Sequence, residues 1–275
     1  MIHTFSRALT FYFRDYLARA RGVSANTVAA YRQTFDIFAK FLRGRRTLRS
    51  VRQVRVSQIT PDLILDFLDH LEDPLRGRGN SRSTRNARLA ALRSFFKALP
   101  LLHPRYVALA RQMECVPLKR AVTRTPDYLE REELRHVFAA VDRESAQGTR
   151  DLALLLFMYN VGARANEVAQ ARLSWLRLDP GFRHVRIVGK GSRERMCPLW
   201  EVTEAFLKHY LASARREPRS DARDRLFVNS RGHPFTRKGV WAIVRRYVEI
   251  ARKTCRTLEG KRLSAHSIRH SLGVH

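Results

Sequence analysis

Fifty-three lysines and arginines stand against 25 aspartates and glutamates in this chain, a net charge of +28. A compact fold carrying that much self-repulsion loses stability unless a polyanion neutralises it. The excess is not confined to a tail. Residues 1–120 hold 23 basic and 8 acidic side chains, and the rest of the chain holds 30 and 17. Both halves are therefore expected to touch one polyanion, and nucleic acid fits that role better than an anionic membrane surface. With 275 residues, 44% of them hydrophobic, the chain is long enough for two domains with a core each, and too apolar for disorder throughout.

Several classes are disfavoured at once. The longest apolar run, Leu152 to Met158, is too short to span a membrane, and Met1 to Thr10, with His3 and Arg7, has no apolar signal core. The three cysteines (Cys115, Cys197, Cys255) are far apart, which fits neither a disulfide framework nor a zinc site and makes the cytoplasm the default expectation. No Walker-type phosphate loop is present, and the acids are too scattered for a metal-dependent nuclease. No cofactor is expected.

Hydrophobic spacing divides the chain into two parts. Leu9, Phe11, Phe13, Tyr16 and Leu17 mark a helix over Phe5 to Arg19, and Gly22-Val23-Ser24 breaks it. Ser24 caps a second helix through Leu42, which buries Val28, Tyr31, Phe35, Phe38 and Phe41. Thr60-Pro61 opens a third over Leu63 to Leu71. After a basic loop from Arg76 to Thr84, a fourth helix carries Leu89, Leu92, Phe95 and Phe96, with Arg82, Arg85, Arg88 and Arg93 around the rest of it. The first part thus reads as a bundle of four or five helices with a basic surface. Periodicity is lost around Cys115 to Pro126, a basic stretch containing Lys119 and Arg120, which reads as a linker. Tyr128 to Leu134 starts a new helical domain, with further helices at Asp151 to Val161, from Ala165, Val202 to Arg215 and Arg237 to Lys253. Two strand-like runs, Arg183 to Val188 and Arg193 to Leu199, flank the turn Gly189-Lys190-Gly191-Ser192.

Three local patterns carry chemistry. In Tyr159 to Val168, Arg164 follows a glycine break and opens a helix, with Glu167 three residues on and on the same face. The hairpin tip around Lys190, followed by Arg193 and Arg195, presents a lysine on a two-stranded arm. In Ser264 to His270, a cap at Ser264 places His266 and Arg269 on one face near a helix N-terminus, where anions are favoured. Taken singly, these are commonly a surface salt bridge, a solvated turn and a structural histidine. Two arginines, a lysine and a histidine in one basic chain can instead bind a phosphate together. Forked guanidiniums hold its oxygens while lysine and histidine move protons.

In that order the three segments resemble the arginine box, the hairpin lysine and the His-x-x-Arg box of the tyrosine recombinases, the phage integrase family. The likeness extends to Phe157–Val168, to Val188–Leu199, to Leu226-Phe227-Val228-Asn229 with Gly232 and Thr236, and, in the first part, to Ser24, Thr27 and Tyr31 and to Ser83, Thr84, Asn86, Arg88 and Leu89. It implies a mostly α fold with a small β-hairpin or sheet. A helical, SAM-like core-binding domain would occupy residues 1–115, a linker 116–127, and a mixed α/β catalytic domain 128–275. It implies cleavage and rejoining of duplex DNA at a specific site through a 3′-phosphotyrosine, without ATP or metal, with other recombinase subunits as partners. Arg164 and Arg269 would bind the phosphate oxygens. Lys190 would protonate the 5′ leaving oxygen, His266 would assist proton transfer, and Glu167 would orient Arg164. His270 is expected to pack or to support a site residue from behind. Arg82, Arg85, Arg88, Lys119, Arg120, Arg193 and Arg195 are expected to contact DNA.

One departure qualifies this expectation. The family places its nucleophilic tyrosine after the His-x-x-Arg box, and none of the eight tyrosines here follows Arg269. These residues are therefore expected to be inactive as they stand, either as a piece of a longer recombinase or as a non-catalytic DNA-binding remnant or regulator. A helix-turn-helix regulator would also explain charge and helices, but not Gly-Lys-Gly between the two boxes.

Overall fold

The computed structural model describes residues 4–44, 53–121, 125–179 and 181–275, with the side chain of Lys190 outside the described set. The chain divides into two compact units, Met1–Thr123 and Arg124–His275. No helix among the described residues is long and apolar enough to cross a membrane.

The first unit contains helices α1 (Phe5–Phe11), α2 (Ala25–Gly44), α3 (Pro61–Glu72), α4 (Arg82–Leu102) and α5 (Val107–Glu114). Beyond α1 the backbone continues from Tyr12 to Ala20 in a wider π-helical turn, closed by the Arg21 amide donating to the Tyr16 carbonyl. Thr60 and Ser81 cap α3 and α4 through side-chain oxygens, and Pro61 sits at the first helical position of α3. The core is aromatic. Phe95 of α4 meets Phe5, Tyr12 and Phe35 edge-on or steeply tilted at centroid distances of 5.3–5.7 Å, the favoured geometry for ring quadrupoles. The Tyr12 hydroxyl, deep in this cluster, donates to Ser94 at 2.8 Å.

The stretch read as linker belongs in part to the first unit. Arg85 donates to the Pro117 carbonyl at 2.8 Å, and Asn86 exchanges hydrogen bonds with the backbone of Lys119. Val122, Thr123 and Arg124, also in that stretch, lie outside the described residues.

The second unit is built around α7 (Ala146–Asn160), preceded by α6 (Arg131–Ala139) and followed by the short α8 (Ala165–Gln170). From Gly148 to Met158 every residue of α7 is buried, which explains why its sequence shows an unbroken apolar run and little amphipathic contrast. Its one buried carboxylate, Asp151, accepts from Arg150 at 2.7 and 2.9 Å and from the Tyr247 hydroxyl at 3.0 Å. Strands β1 (Leu176–Asp179), β2 (Phe182–Val188) and β3 (Glu194–Pro198) form an antiparallel sheet in that order, with Val185 opposite Leu176 and Cys197. β1 was not foreseen from the sequence. Helices α9 (Glu201–His209), α10 (Arg237–Arg252) and α11 (Ala265–Val274) complete the unit. The Ser271 hydroxyl holds α11 in place, accepting from the Leu129 amide and donating to the Ser267 carbonyl, both at 2.8 Å.

Candidate active site

The turn that ends α7 sets the position of the first arginine. Gly162 adopts φ +56°, its amide donates to the Tyr159 carbonyl, and the Ala163 amide donates to Met158. This pairing closes a helix through a left-handed residue. Glycine is required there by conformation, and a β-carbon would in addition push the Leu272 side-chain tip of α11, 2.9 Å away. The chain then re-enters a helix at Arg164. Glu167 folds back onto it, accepting from the Arg164 amide at 3.0 Å and from Nη1 at 2.8 Å.

Glu167 is the hub. Its Oε2 also accepts from Arg195 of β3 at 2.8 Å and lies 3.7 Å from Nη1 of Arg269, which donates to the Gly162 carbonyl at 2.6 Å. The carboxylate is buried, which alone would raise its pKa. The hydrogen bonds from Arg195 and Arg164 outweigh that cost and hold it below the usual range. Burial lowers the Arg269 pKa, with further lowering from Arg164, while Arg195, which burial would also lower, is raised by its hydrogen bond to and charge pairing with Glu167. One carboxylate facing three guanidiniums leaves the pocket strongly positive. Among the described residues, Arg164 and Arg269 each retain unpaired N–H donors.

α11 supplies the histidine. Ser264 caps it, accepting from the His266 amide at 3.1 Å, so the cap inferred from sequence is present. The His266 ring sits 5.4 Å from that of His270. Burial, then the nearby charges of His270, Arg164 and Arg269, push the His266 pKa down and favour the neutral ring. His266 and Arg164 line a cavity of about 720 Å³ together with Arg237, Lys238 and Trp241 of α10. Those three residues escaped the sequence reading. A signal existed, because Thr236 caps α10 and places Arg237 and Lys238 in its first turn. Arg164 also lines a second cleft of about 510 Å³ with Gly189, Gly191, Arg193, Glu194 and Arg195. The backbone of Lys190 belongs to the turn Lys190–Ser192 on that cleft's hairpin.

The basic residues expected on a DNA-facing surface separate into groups. Arg82, Arg120 and Arg193 are exposed. Arg88 is half-buried, and burial followed by Arg78 lowers its pKa. The Lys119 ammonium is held by Glu72 at 2.5 Å and Asp69 at 3.5 Å. Arg85 is a correction. It is 1% exposed and braces α4 to the segment at Pro117, so its guanidinium is not on the surface. Arg93 is likewise turned to the carbonyls of Glu114 and Val116. Arg195 points at Glu167. Among the described residues no cluster of three or more His, Cys, Asp or Glu side chains is placed to hold a metal ion.

Residues 127–275 match the model of the phage integrase family, and residues 12–100 match that of the phage integrase N-terminal SAM-like domain. The chain belongs to the phage integrase family. The Sinorhizobium fredii protein y4rD is 34% identical over 264 residues, covering 95% of this chain and 91% of its own length. The tyrosine recombinase XerD of Chlorobaculum tepidum is 31% identical, covering 96% and 81%. Among solved structures, the XerH site-specific recombinase bound to palindromic difH substrate superposes with a TM-score of 0.68 at 22% identity, over 92% of this chain and 69% of that one. A lambda integrase dimer bound to a core site gives 0.70 at 15% identity, over 98% and 69%. At those identities the structural likeness speaks for the fold. The mostly helical architecture with a small antiparallel sheet expected from sequence is thus the family's own.

Proposed function

We propose that this integrase-family chain binds duplex DNA and holds one phosphodiester for transesterification in site-specific recombination. The observation that carries the reading is the convergence of Arg164, Arg195 and Arg269 on the single carboxylate of Glu167, beside His266. Arg164 and Arg269 keep donors for two non-bridging oxygens, and charge built up at phosphorus in the transition state meets fixed guanidiniums. A tyrosine oxygen attacks phosphorus, the P–O5′ bond breaks, and Lys190 delivers the proton that the 5′ oxygen needs. The 3′-phosphotyrosine keeps the ester energy, so a 5′-hydroxyl reverses the step without ATP. Neutral His266 accepts or holds a proton at the phosphate. The structural neighbours XerH and lambda integrase are seen on DNA, lambda integrase also as a tetramer on a Holliday junction, and we extend duplex DNA and further subunits to this chain.

The attacking phenol is not among the tyrosines of the second unit. Tyr247 donates to Asp151, and burial pushes its pKa up to about 12. Burial raises Tyr210 and Tyr159 as well, and Tyr128 is raised by its hydrogen bond to Glu130. All four are shifted towards the protonated phenol, although the Tyr159 hydroxyl lies 2.8 Å from Nδ1 of His275. The 275 residues are therefore expected to bind DNA with a log-affinity slope of several units against log salt, and to form no covalent adduct. Salt titrations on duplex DNA and capture of denaturant-resistant adducts from total DNA test both statements. A flat salt response overturns DNA binding, and an adduct overturns the assignment of the tyrosines.

A further inference from the structure

The hairpin that bears Lys190 meets the arginine box near its tip through the Arg195 side chain and, at its far end, through the Pro198 carbonyl, which accepts from Asn160 at 3.2 Å. Arg195 reaches from β3 to Oε2 of Glu167 at 2.8 Å, while Arg164 takes Oε1 at 2.8 Å. At the hairpin's stem the backbone packs against this pair. A β-carbon on Gly189 would lie 3.3 Å from Oε1 of Glu167 and 3.7 Å from Nη1 of Arg195, and the Gly189 amide donates to the Arg193 carbonyl at 2.7 Å. Lys190 is the next residue. The tip beyond it carries two left-handed residues, Gly191 (φ +72°) and Ser192 (φ +58°), and ladder pairing ends at Val188 and Glu194. So the ladder stops short of the tip, and among the described residues the Arg195–Glu167 contact is the side-chain tie between this end of the hairpin and the arginine box.

The same contact decides what Arg269 does. A carboxylate has two oxygens. Oε1 accepts from Nη1 of Arg164, Oε2 accepts from both the Arg164 amide at 3.0 Å and Arg195 at 2.8 Å, and Arg269 stays 3.7 Å from Oε2 and turns Nη1 to the Gly162 carbonyl. Remove Arg195, and Oε2 is buried with a free lone pair beside a guanidinium that would close on it.

We propose that Arg195 is a positioning residue. By occupying Glu167 it docks the lysine hairpin onto the arginine box and leaves Arg269 free to take a phosphate oxygen. This deepens the phosphate-pocket reading and rests on it. It also reassigns Arg195 from the DNA-contacting surface to the interior of the site.

Amide hydrogen exchange on the full chain tests the docking, comparing wild type, Arg195→Met and Arg195→Lys. Arg195→Met should speed exchange at residues 189–193 by about tenfold or more, while amides of the β1–β2 pairing stay within about twofold. Arg195→Lys, which keeps the charge but not the fork, should fall between them. The second readout is affinity for orthovanadate as a phosphate probe. Arg195→Met should weaken it about as much as Arg269→Ala does, although Arg269 itself is intact. A purely structural arginine would loosen the whole sheet and lower the melting temperature without singling out the hairpin. That outcome overturns the proposal, as does unchanged hairpin exchange or wild-type vanadate affinity in Arg195→Met. If wild-type protein binds no vanadate, the phosphate-pocket reading fails, and the exchange measurement still decides whether Arg195 docks the hairpin.

Discussion

Arg85 in α4 and Arg164 at the start of α8 each lie near a glutamate, and their surroundings make them opposites. Arg85 is 1% exposed, lies 3.8 Å from Glu72, and gives Nη1 to the Pro117 carbonyl and Asn86. The Arg164 side chain is 45% exposed and binds Glu167 through Nη1 alone among the described residues. A guanidinium has five donors. Where packing seals the guanidinium from solvent and a backbone carbonyl holds it, as at Arg85, whose Nε is buried without a hydrogen bond, arginine is a brace. Where one buried carboxylate fixes the fork and the remaining donors face a cleft, it is ready for an anion. The first unit shows mainly the former use on α4, and the second unit gathers the latter around Glu167.

The contrast is broken most forcefully at the hub. Glu167→Ala leaves three neighbouring guanidiniums without their shared counter-charge, and the second unit should lose about 3–5 kcal/mol in denaturant unfolding. Glu167→Gln should lose less. The pH dependence has a definite sign. The Glu167 pKa is depressed in the fold, so its contribution is complete above the ordinary carboxylate range and disappears as pH falls through the depressed value. Urea midpoints measured from neutral to acid pH should therefore show wild type and Glu167→Gln converging as pH drops. A gap that stays constant with pH would contradict the hub.

Arg85→Met should come next, costing the first unit about 2–3 kcal/mol through lost charge-assisted hydrogen bonds and an orphaned carbonyl. Its duplex affinity, corrected for folded fraction, should stay within about twofold. Weaker DNA binding in a fully folded variant would make Arg85 a contact after all. Tyr247→Phe should cost the second unit about 1–2 kcal/mol, because buried Asp151 loses one hydrogen bond and keeps Arg150. The smallest stability effect belongs to exposed Arg82. Arg82→Ala should change unfolding by less than about 0.5 kcal/mol yet reduce the salt slope of DNA binding by about one unit.

The difference between brace and ligand was partly written in the sequence. Arg85 precedes Leu89 and Leu92 by four and seven residues, which places it on the apolar stripe of α4. Reading it as surface followed its charge and ignored its phase. Arg164 was legible because a glycine break, a helix start and a glutamate three residues on are all local. So was the Ser264 cap. The Arg195–Glu167 contact was not, since it joins residues 28 apart across a strand and a helix. Strand β1, four residues of Leu-Arg-Leu-Asp, is too short for periodicity to register. The π-helical turn after Phe11 keeps an apolar spacing close to an α-helix's, so sequence spacing alone gave one continuous helix.

The most direct test of a phosphate pocket built from arginines with donors to spare is calorimetric titration of orthovanadate into four proteins: wild type, Arg164→Ala, Arg269→Ala and Arg85→Met. Wild type should bind, Arg164→Ala and Arg269→Ala should each lose about tenfold or more, as expected for a lost charge-assisted hydrogen bond, and Arg85→Met should keep the wild-type constant. Equal affinities across all four would contradict such a pocket, because the guanidiniums around Glu167 would then be no different from the braces of α4.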